Sequence, residues 1–497
     1  MEKQNSYSHI LKYTGIFGGV QVLNLLVGLV RNKLVALILG PMGMGLIALF
    51  NSTIKMVGDS TNFGLSISAI RDISAAYNDS DTHRLRHKIM VLRHWSVLTA
   101  LLGGVLCALL APLLSMWTFS FGNHTLHFLL LSPVVALTTF TAGEMAILKA
   151  TRRLNEVALS SMLTALSAII VSVPVYMMFG YKGIVPSLLL MALIEAGIVV
   201  RFSLKTFPMR MVFRRSVLRE GYGFIKLGTA FVLAGMAGSG AELGIRSFIN
   251  YTSGVDMVGL YNAAYVMIFT YAGMVFTAME TDYYPRLSSM PSLGSGFNSI
   301  VNNQIEVSLN LVSPLLTVFI LLVPMLLPAL YSGKFMPVLP MLQVASLSML
   351  ARAMYLPIEY VSLSRGKSLV FLGIELSSYS VLIVSVILGY TLHGLFGAGV
   401  GIVIASMLEV IVVLIVCGIV FEYRMSASLM RMAIVHMVLC VLVYAVTLSG
   451  NIWVYCLAGG ILSVADFAYS LHIMRKHVDV SRRIMDKIKQ HFIRKRS

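Results

Sequence analysis

The chain has 497 residues, of which 57% are hydrophobic and only 12% charged, and its mean hydropathy is +0.84. No water-soluble fold conceals that much apolar surface, so the composition excludes a soluble enzyme and points to a polytopic membrane protein. The net charge of +17 is explained by the placement of cations on one side of a membrane and by attraction to anionic lipid heads, and calls for no nucleic acid.

A hydrocarbon core roughly 30 Å thick is crossed by about 20 apolar residues at about 1.5 Å rise each. Taken in chain order, fourteen stretches meet that requirement: 12–30, 43–69, 94–117, 126–148, 157–178, 184–204, 222–250, 257–280, 305–330, 337–362, 369–391, 396–420, 432–449 and 452–474. The first reads as a spanning helix rather than a cleaved signal, because it is too long and no small-residue cleavage site precedes a soluble domain. When the loops are numbered alternately, one side collects thirty of the 38 Lys and Arg residues, including Arg71 to Arg93, Lys205 to Lys226 and the tail from Arg475 to Arg496. The other side has four: Arg31, Lys33, Lys182 and Lys334. Lys and Arg resist translocation, so both termini are expected in the cytoplasm. Cys107, Cys417, Cys440 and Cys456 all fall within spans and imply no disulfide or metal framework.

The two halves echo each other at an offset of about 214 residues. Lys12 and Lys226 open matching apolar segments, Gly45-Leu46 recurs as Gly259-Leu260, and Gly180, Gly183 and Glu195 recur as Gly394, Gly397 and Glu409. With a one-residue slip, Arg71 matches Arg286 and Glu144 matches Glu359. A duplicated hydrophobic unit marks a two-lobed transporter. Six spans per copy is an even number, so both copies enter the membrane in the same direction. The expected fold is all-α, with two six-helix lobes related by a pseudo-two-fold axis along the membrane normal and a substrate cavity between them. The expected division is 1–215 (first lobe), 216–430 (second lobe), 431–474 (two accessory spans) and 475–497 (basic tail).

The run from Val30 to Leu46, VRNKLVALILGPMGMGL, resembles the first hairpin of Wzx-type bacterial polysaccharide flippases, which carry a basic residue, a short apolar step and then LGPxGxG. VGLYNAAY from Val258 to Tyr265 is similar to that family's VGxYxA segment, and YYPRLS from Tyr283 to Ser288 resembles the end of its eighth span. The family is the polysaccharide branch of the multidrug/oligosaccharidyl-lipid/polysaccharide (MOP) exporter superfamily. The resemblance implies an inner-membrane transporter, not an enzyme, that moves undecaprenyl-pyrophosphate-linked oligosaccharide, as in O-antigen, lipopolysaccharide or capsule assembly, from the cytoplasmic to the periplasmic leaflet. Implied partners are that lipid, the surrounding membrane lipids, and the polymerase and chain-length regulators of the same pathway. No cofactor is implied beyond a proton or Na+ gradient. The two extra spans are similar to those of fourteen-span lipid II flippases, so that reading stays open, as does a cation-coupled multidrug antiporter. A membrane-embedded glycosyl transferase is disfavoured by the short outer loops.

Ionisable residues inside spans are costly and face a cavity or a partner. Lys55 and Arg352 lie near mid-depth, and Arg31 and Arg246 close spans one and seven at near-equivalent positions. Together they form the candidate cationic path for a pyrophosphate and glycan. The alternative is that Arg31 and Arg246 snorkel to the headgroups while Lys55 merely neutralises Asp59. Lys55 with Asp59 and Glu242 with Arg246 have i, i+4 spacing, which puts each pair on one helix face. Asp59, Glu242, Glu144 and Glu359 are the candidate ion-coupling acids, although recurrence of Glu144 and Glu359 across the copies favours a packing role. Glu375 and Asp466 receive no role, and His94, His127 and His436 read as interfacial. The glycine-rich span seven, with Gly240 and Gly244 as a small-xxx-small pair, suits close packing or a hinge. Its GSGAELG run lacks the Lys-Ser/Thr ending of a phosphate loop, so no ATPase is expected.

Overall fold

The computed structural model describes residues 2–79, 81–119, 122–208, 215–273, 275–276, 283–284, 286–290 and 293–494. The middle of the expected linker (209–214), Pro285 of the YYPRLS run and the last residues of the basic tail (495–497) lie outside them, as do the side chains of Lys12 and Lys226. Among the described residues, fifteen α-helices are assigned: α1 (Glu2–Thr61), α2 (Leu65–Asn78), α3 (Thr82–Leu109), α4 (Ala111–Thr118), α5 (Thr125–Ala150), α6 (Leu154–Phe179), α7 (Ile184–Thr206), α8 (Arg215–Ser253), α9 (Val255–Tyr265), α10 (Ser295–Leu330), α11 (Leu339–Ser346), α12 (Ser348–Ser364), α13 (Ser368–Phe421), α14 (Ala427–Thr447) and α15 (Ile452–Arg494). Among the described residues, eight helical segments are long and apolar enough to cross a membrane, or nine if the bent pair Gly333–Ser346 and Ser348–Ser364 is one span. Three of the eight, of 39, 53 and 54 residues, exceed a single crossing and are broken internally.

Those breaks are made by glycine. In α1 the expected loop between spans one and two is absent: the helix carries Arg31 and Lys33 onward and interrupts only at Gly40, whose φ of 64° and ψ of −167° suit a residue without a Cβ. Pro41 then starts the next helical stretch, where its missing N–H costs nothing. Between α6 and α7 the break is Gly180 (φ 55°, ψ −134°), and inside α13 it is Gly394 (φ 57°, ψ −139°). These two glycines stand at matching positions of the sequence echo and share one backbone conformation. Glu195 and Glu409 follow at the same distance beyond them, each partly buried.

The helices form two compact units, 1–263 with 327–337 and 264–326 with 338–497. In the first, α2 offers Leu65, Ala69, Ile73 and Ala76 on one face to Leu85, Ile89 and Leu92 of α3 and to Ala146, Ile147 and Ala150 of α5. Asp81 caps α3 by accepting from the amides of His83 (3.1 Å) and Arg84 (2.9 Å). In the second unit, α14 is capped by Ser426, which accepts from the amide of Leu429 at 3.2 Å. The outward faces carry Leu101, Val105, Leu109 and Met116 in the first unit and Ile411, Ile415, Ile419 and Ile461 in the second, all exposed, as expected where the solvent is lipid.

Candidate functional site

The first unit gathers four of the predicted site residues on α1 and α8. Lys55 Nζ donates to Glu242 Oε1 at 2.9 Å, and Arg246 Nη1 donates to Glu242 Oε2 at 3.0 Å. One carboxylate therefore bridges two cations. The Glu242–Arg246 pair is the i, i+4 contact expected from spacing. The expected Lys55–Asp59 pair is not: Lys55 turns across to α8, and Asp59 makes its side-chain hydrogen bond with Ser239.

The two cations differ in mobility. Arg246 is 7% exposed and held by three side chains, donating also to Ser52 Oγ (2.8 Å) and Asn262 Oδ1 (3.1 Å). Its burial excludes snorkelling to the headgroups. Lys55, 52% exposed, has a flexible stem, pairs with Glu242 and also feels the charge of Asp59. The pair thus combines a fixed planar donor with a movable point charge. Asn262 lies within the VGLYNAAY run, so its signal was present in the sequence, but nothing in one sequence singled it out as a partner of Arg246. Ser52 carried no signal.

Arg31 is not part of this cluster in its recorded contacts. Its Nε lies 3.4 Å from Ser172 Oγ and its Nη2 3.5 Å from Met191 Sδ, on α6 and α7. Glu144 is 1% exposed and its carboxylate is taken up on both oxygens: Arg93 donates at 2.8 and 3.1 Å, and Ser203 donates to Oε2. Arg93 also donates to the carbonyl of Pro208 at 3.3 Å. Sequence reading placed Arg93 among the loop cations, whereas it is 2% exposed on α3 and locks α3, α5 and α7 together. His94, read as interfacial, is buried with Nδ1 2.7 Å from the Met90 carbonyl.

In the second unit Arg352 of α12 lies 5.8 Å from the ring centre of Phe269 and 5.3 Å from that of Phe276. Phe269 sits in a π-helical stretch, Val266–Ala272, a local widening found often at functional sites. A Cβ at the neighbouring Gly273 would run into the carbonyl oxygen of Phe269, so glycine lets the chain close onto it there, with the Arg352 guanidinium at ordinary contact distance. The buried Glu359 lies beside Glu375, a residue to which sequence reading gave no role.

A sequence model of the polysaccharide biosynthesis protein family matches residues 34–340, well over half of the chain. The chain belongs to that family. Among solved structures, this family member is similar to the lipid II flippase MurJ in an inward closed conformation, with a TM-score of 0.73 at 13% identity, over 93% of this chain and 99% of that one. It is also similar to an inward-facing multidrug resistance MATE transporter of the MOP superfamily (TM-score 0.64, 16% identity, 82% and 96% covered) and to a Vibrio cholerae MATE transporter (0.62, 14%, 83% and 97%). At such identities the likeness establishes the fold: this polysaccharide biosynthesis protein has the polytopic helical architecture of MOP transporters. No curated protein matches it by sequence.

Proposed function

We propose that this polysaccharide biosynthesis protein is a flippase, not an enzyme, that moves an undecaprenyl-pyrophosphate-linked oligosaccharide repeat unit from the cytoplasmic to the periplasmic leaflet by ion-coupled alternating access. The observation that carries the reading is the bridged triad Lys55–Glu242–Arg246 within long apolar helices. A pyrophosphate needs charge-assisted donors once it leaves water. Lys55 and Arg246 supply them, and Glu242 holds both in place until phosphate oxygens take over from its carboxylate. Arg352 with its two phenylalanine rings provides a further cation beside flat apolar surface, which suits a sugar. Coupling is assigned to the acids left holding or releasing a cation: Glu242 and Asp59 in the first unit, and Glu359, beside Glu375, in the second. Glu144 is a packing residue in this scheme, and Arg31 an outer member of the cationic path.

Both termini are assigned to the cytoplasm on the distribution of the cations, and the family resemblance supports the inner membrane of a bacterium as the location and the polymerase and chain-length regulators of the pathway as partners. The same anionic lipid chemistry serves a lipid II flippase, and the structural likeness to MurJ supports that second reading. The test is deletion followed by complementation. Loss of the gene should trap lipid-linked oligosaccharide on the cytoplasmic leaflet with surface glycan reduced and growth maintained. Growth arrest with lipid II accumulation would favour the second reading, and unchanged glycan with altered drug resistance would overturn both.

A further inference from the structure

At mid-span in the second unit, three side chains from three helices meet. His436 of α14 and Asp466 of α15 are both 0% exposed, with Nδ1 and Oδ1 2.7 Å apart, and Ser313 of α10 donates to Asp466 Oδ2 at 2.7 Å. Sequence reading left Asp466 without a role and His436 at the interface. The structure buries both. The recorded partners of Asp466 are this histidine and this serine, with no Lys or Arg among them. Nearby titratable groups are Cys440 of α14, whose Sγ is 3.4 Å from Ser313 Oγ, and Tyr469 of α15, whose ring stands edge-on to the imidazole at 5.2 Å. Glu306 of α10, Arg431 of α14 and His472 of α15 stand one to two turns away along their helices.

With His436 neutral and its Nδ1–H donated to Asp466, the pair carries a full negative charge at mid-membrane depth, which lipid disfavours strongly. Nδ1 is already committed, so the nitrogen able to accept a proton is Nε2, and that atom is enclosed without a hydrogen-bond partner. A proton taken from water onto Nε2 converts the dyad to a neutral ion pair. We propose that His436 and Asp466 form a one-proton site, and that its occupied state docks α14 and α15 against α10. Gly459 of α15 adds to that docking by letting the helix approach Leu321 of α10, where a Cβ would stand 2.6 Å from a leucine methyl.

The experiment uses the full chain in lipid nanodiscs, with apparent thermal unfolding followed between pH 5.5 and 8.5. A proton bound by the docked helices and not by the undocked ones stabilises docking at acid pH, and that stability is lost as pH rises. The wild-type midpoint should therefore fall with rising pH by several degrees. Asp466→Asn removes the charge and keeps the shape, and its midpoint should be flat across the range. His436→Gln keeps a donor toward Asp466 but has no second nitrogen to protonate, so it should be flat and lower than wild type at acid pH. A flat wild-type profile, or variants that keep the wild-type slope, would overturn the proposal and leave an ordinary polar contact between helices. Should Asp466→Asn fail to accumulate, the wild-type and His436→Gln slopes decide alone.

Discussion

Gly45 and Gly259 touch backbone to backbone, and the contact is reciprocal. A Cβ on Gly45 would run into the carbonyl oxygen of Val255 and lie 3.0 Å from the amide of Gly259; a Cβ on Gly259 would run into the carbonyl oxygen of Pro41 and lie 3.0 Å from the amide of Gly45. Pro41 and Val255 hold corresponding places in the echo, as do the glycines. The hairpins that carry the family resemblance are thus matched by a local two-fold relation, and both have a left-handed glycine at the turn, Gly40 (φ 64°) and Gly254 (φ 86°).

Gly45→Ala and Gly259→Ala should each destabilise the protein by about 1–3 kcal/mol, because a methyl group has to push two backbones apart. The double variant should cost clearly less than the sum, since one separation relieves both clashes. Thermal unfolding of the three variants checks this, and additivity would show that the two sites are independent.

At the charge triad, exposure separates function from stability. Lys55→Ala should leave abundance in the membrane near normal, since its ion pair is half exposed, yet reduce glycan export about tenfold or more, the loss of one charge-assisted hydrogen bond. Arg246→Ala should lower both, because it leaves Glu242 and Asn262 without their buried donor. Arg246→Lys should recover abundance better than export, as an ammonium cannot reach Ser52, Glu242 and Asn262 together. Immunoblots and surface-glycan assays at matched expression measure the two effects.

Breaking the Arg93–Glu144 lock should be costly in a different way. Arg93→Ala or Glu144→Ala strands a buried charge, a loss of about 3–5 kcal/mol, and should deplete the protein from the membrane. Arg93→Met with Glu144→Leu should recover much of it, with export restored in proportion to abundance. Recovery of abundance without export would instead assign Glu144 a part in transport.

Gly180→Ala and Gly394→Ala should behave alike, each forcing a Cβ into the same glycine-only backbone region at a cost of about 1–3 kcal/mol. No atom within 4 Å crowds either position, so strain is the sole cause and the two losses, read as thermal midpoints, should agree.

The orientation is open to cysteine labelling in a background freed of Cys456, the exposed native cysteine. Asn123→Cys and Gly333→Cys should react with an impermeant reagent from the periplasm, and Ser80→Cys and Ser216→Cys only after permeabilisation. The reverse pattern would invert the cation argument.

What the sequence determined by itself is what composition and local backbone chemistry control. Apolar content required a membrane, and the echo of Gly180 in Gly394 set matching glycines between spans, where the structure breaks the helices. The spacing of Glu242 and Arg246 put them on one helix face, where they pair, although the same spacing did not pair Lys55 with Asp59. Which charges meet across helices was decided by the tertiary structure alone. Lys55 finds Glu242 at a separation of 187 residues, Arg93 finds Glu144 at 51 and His436 finds Asp466 at 30. In a medium without water, each buried charge takes the partner that helix packing brings to it, and no spacing along the chain records that choice.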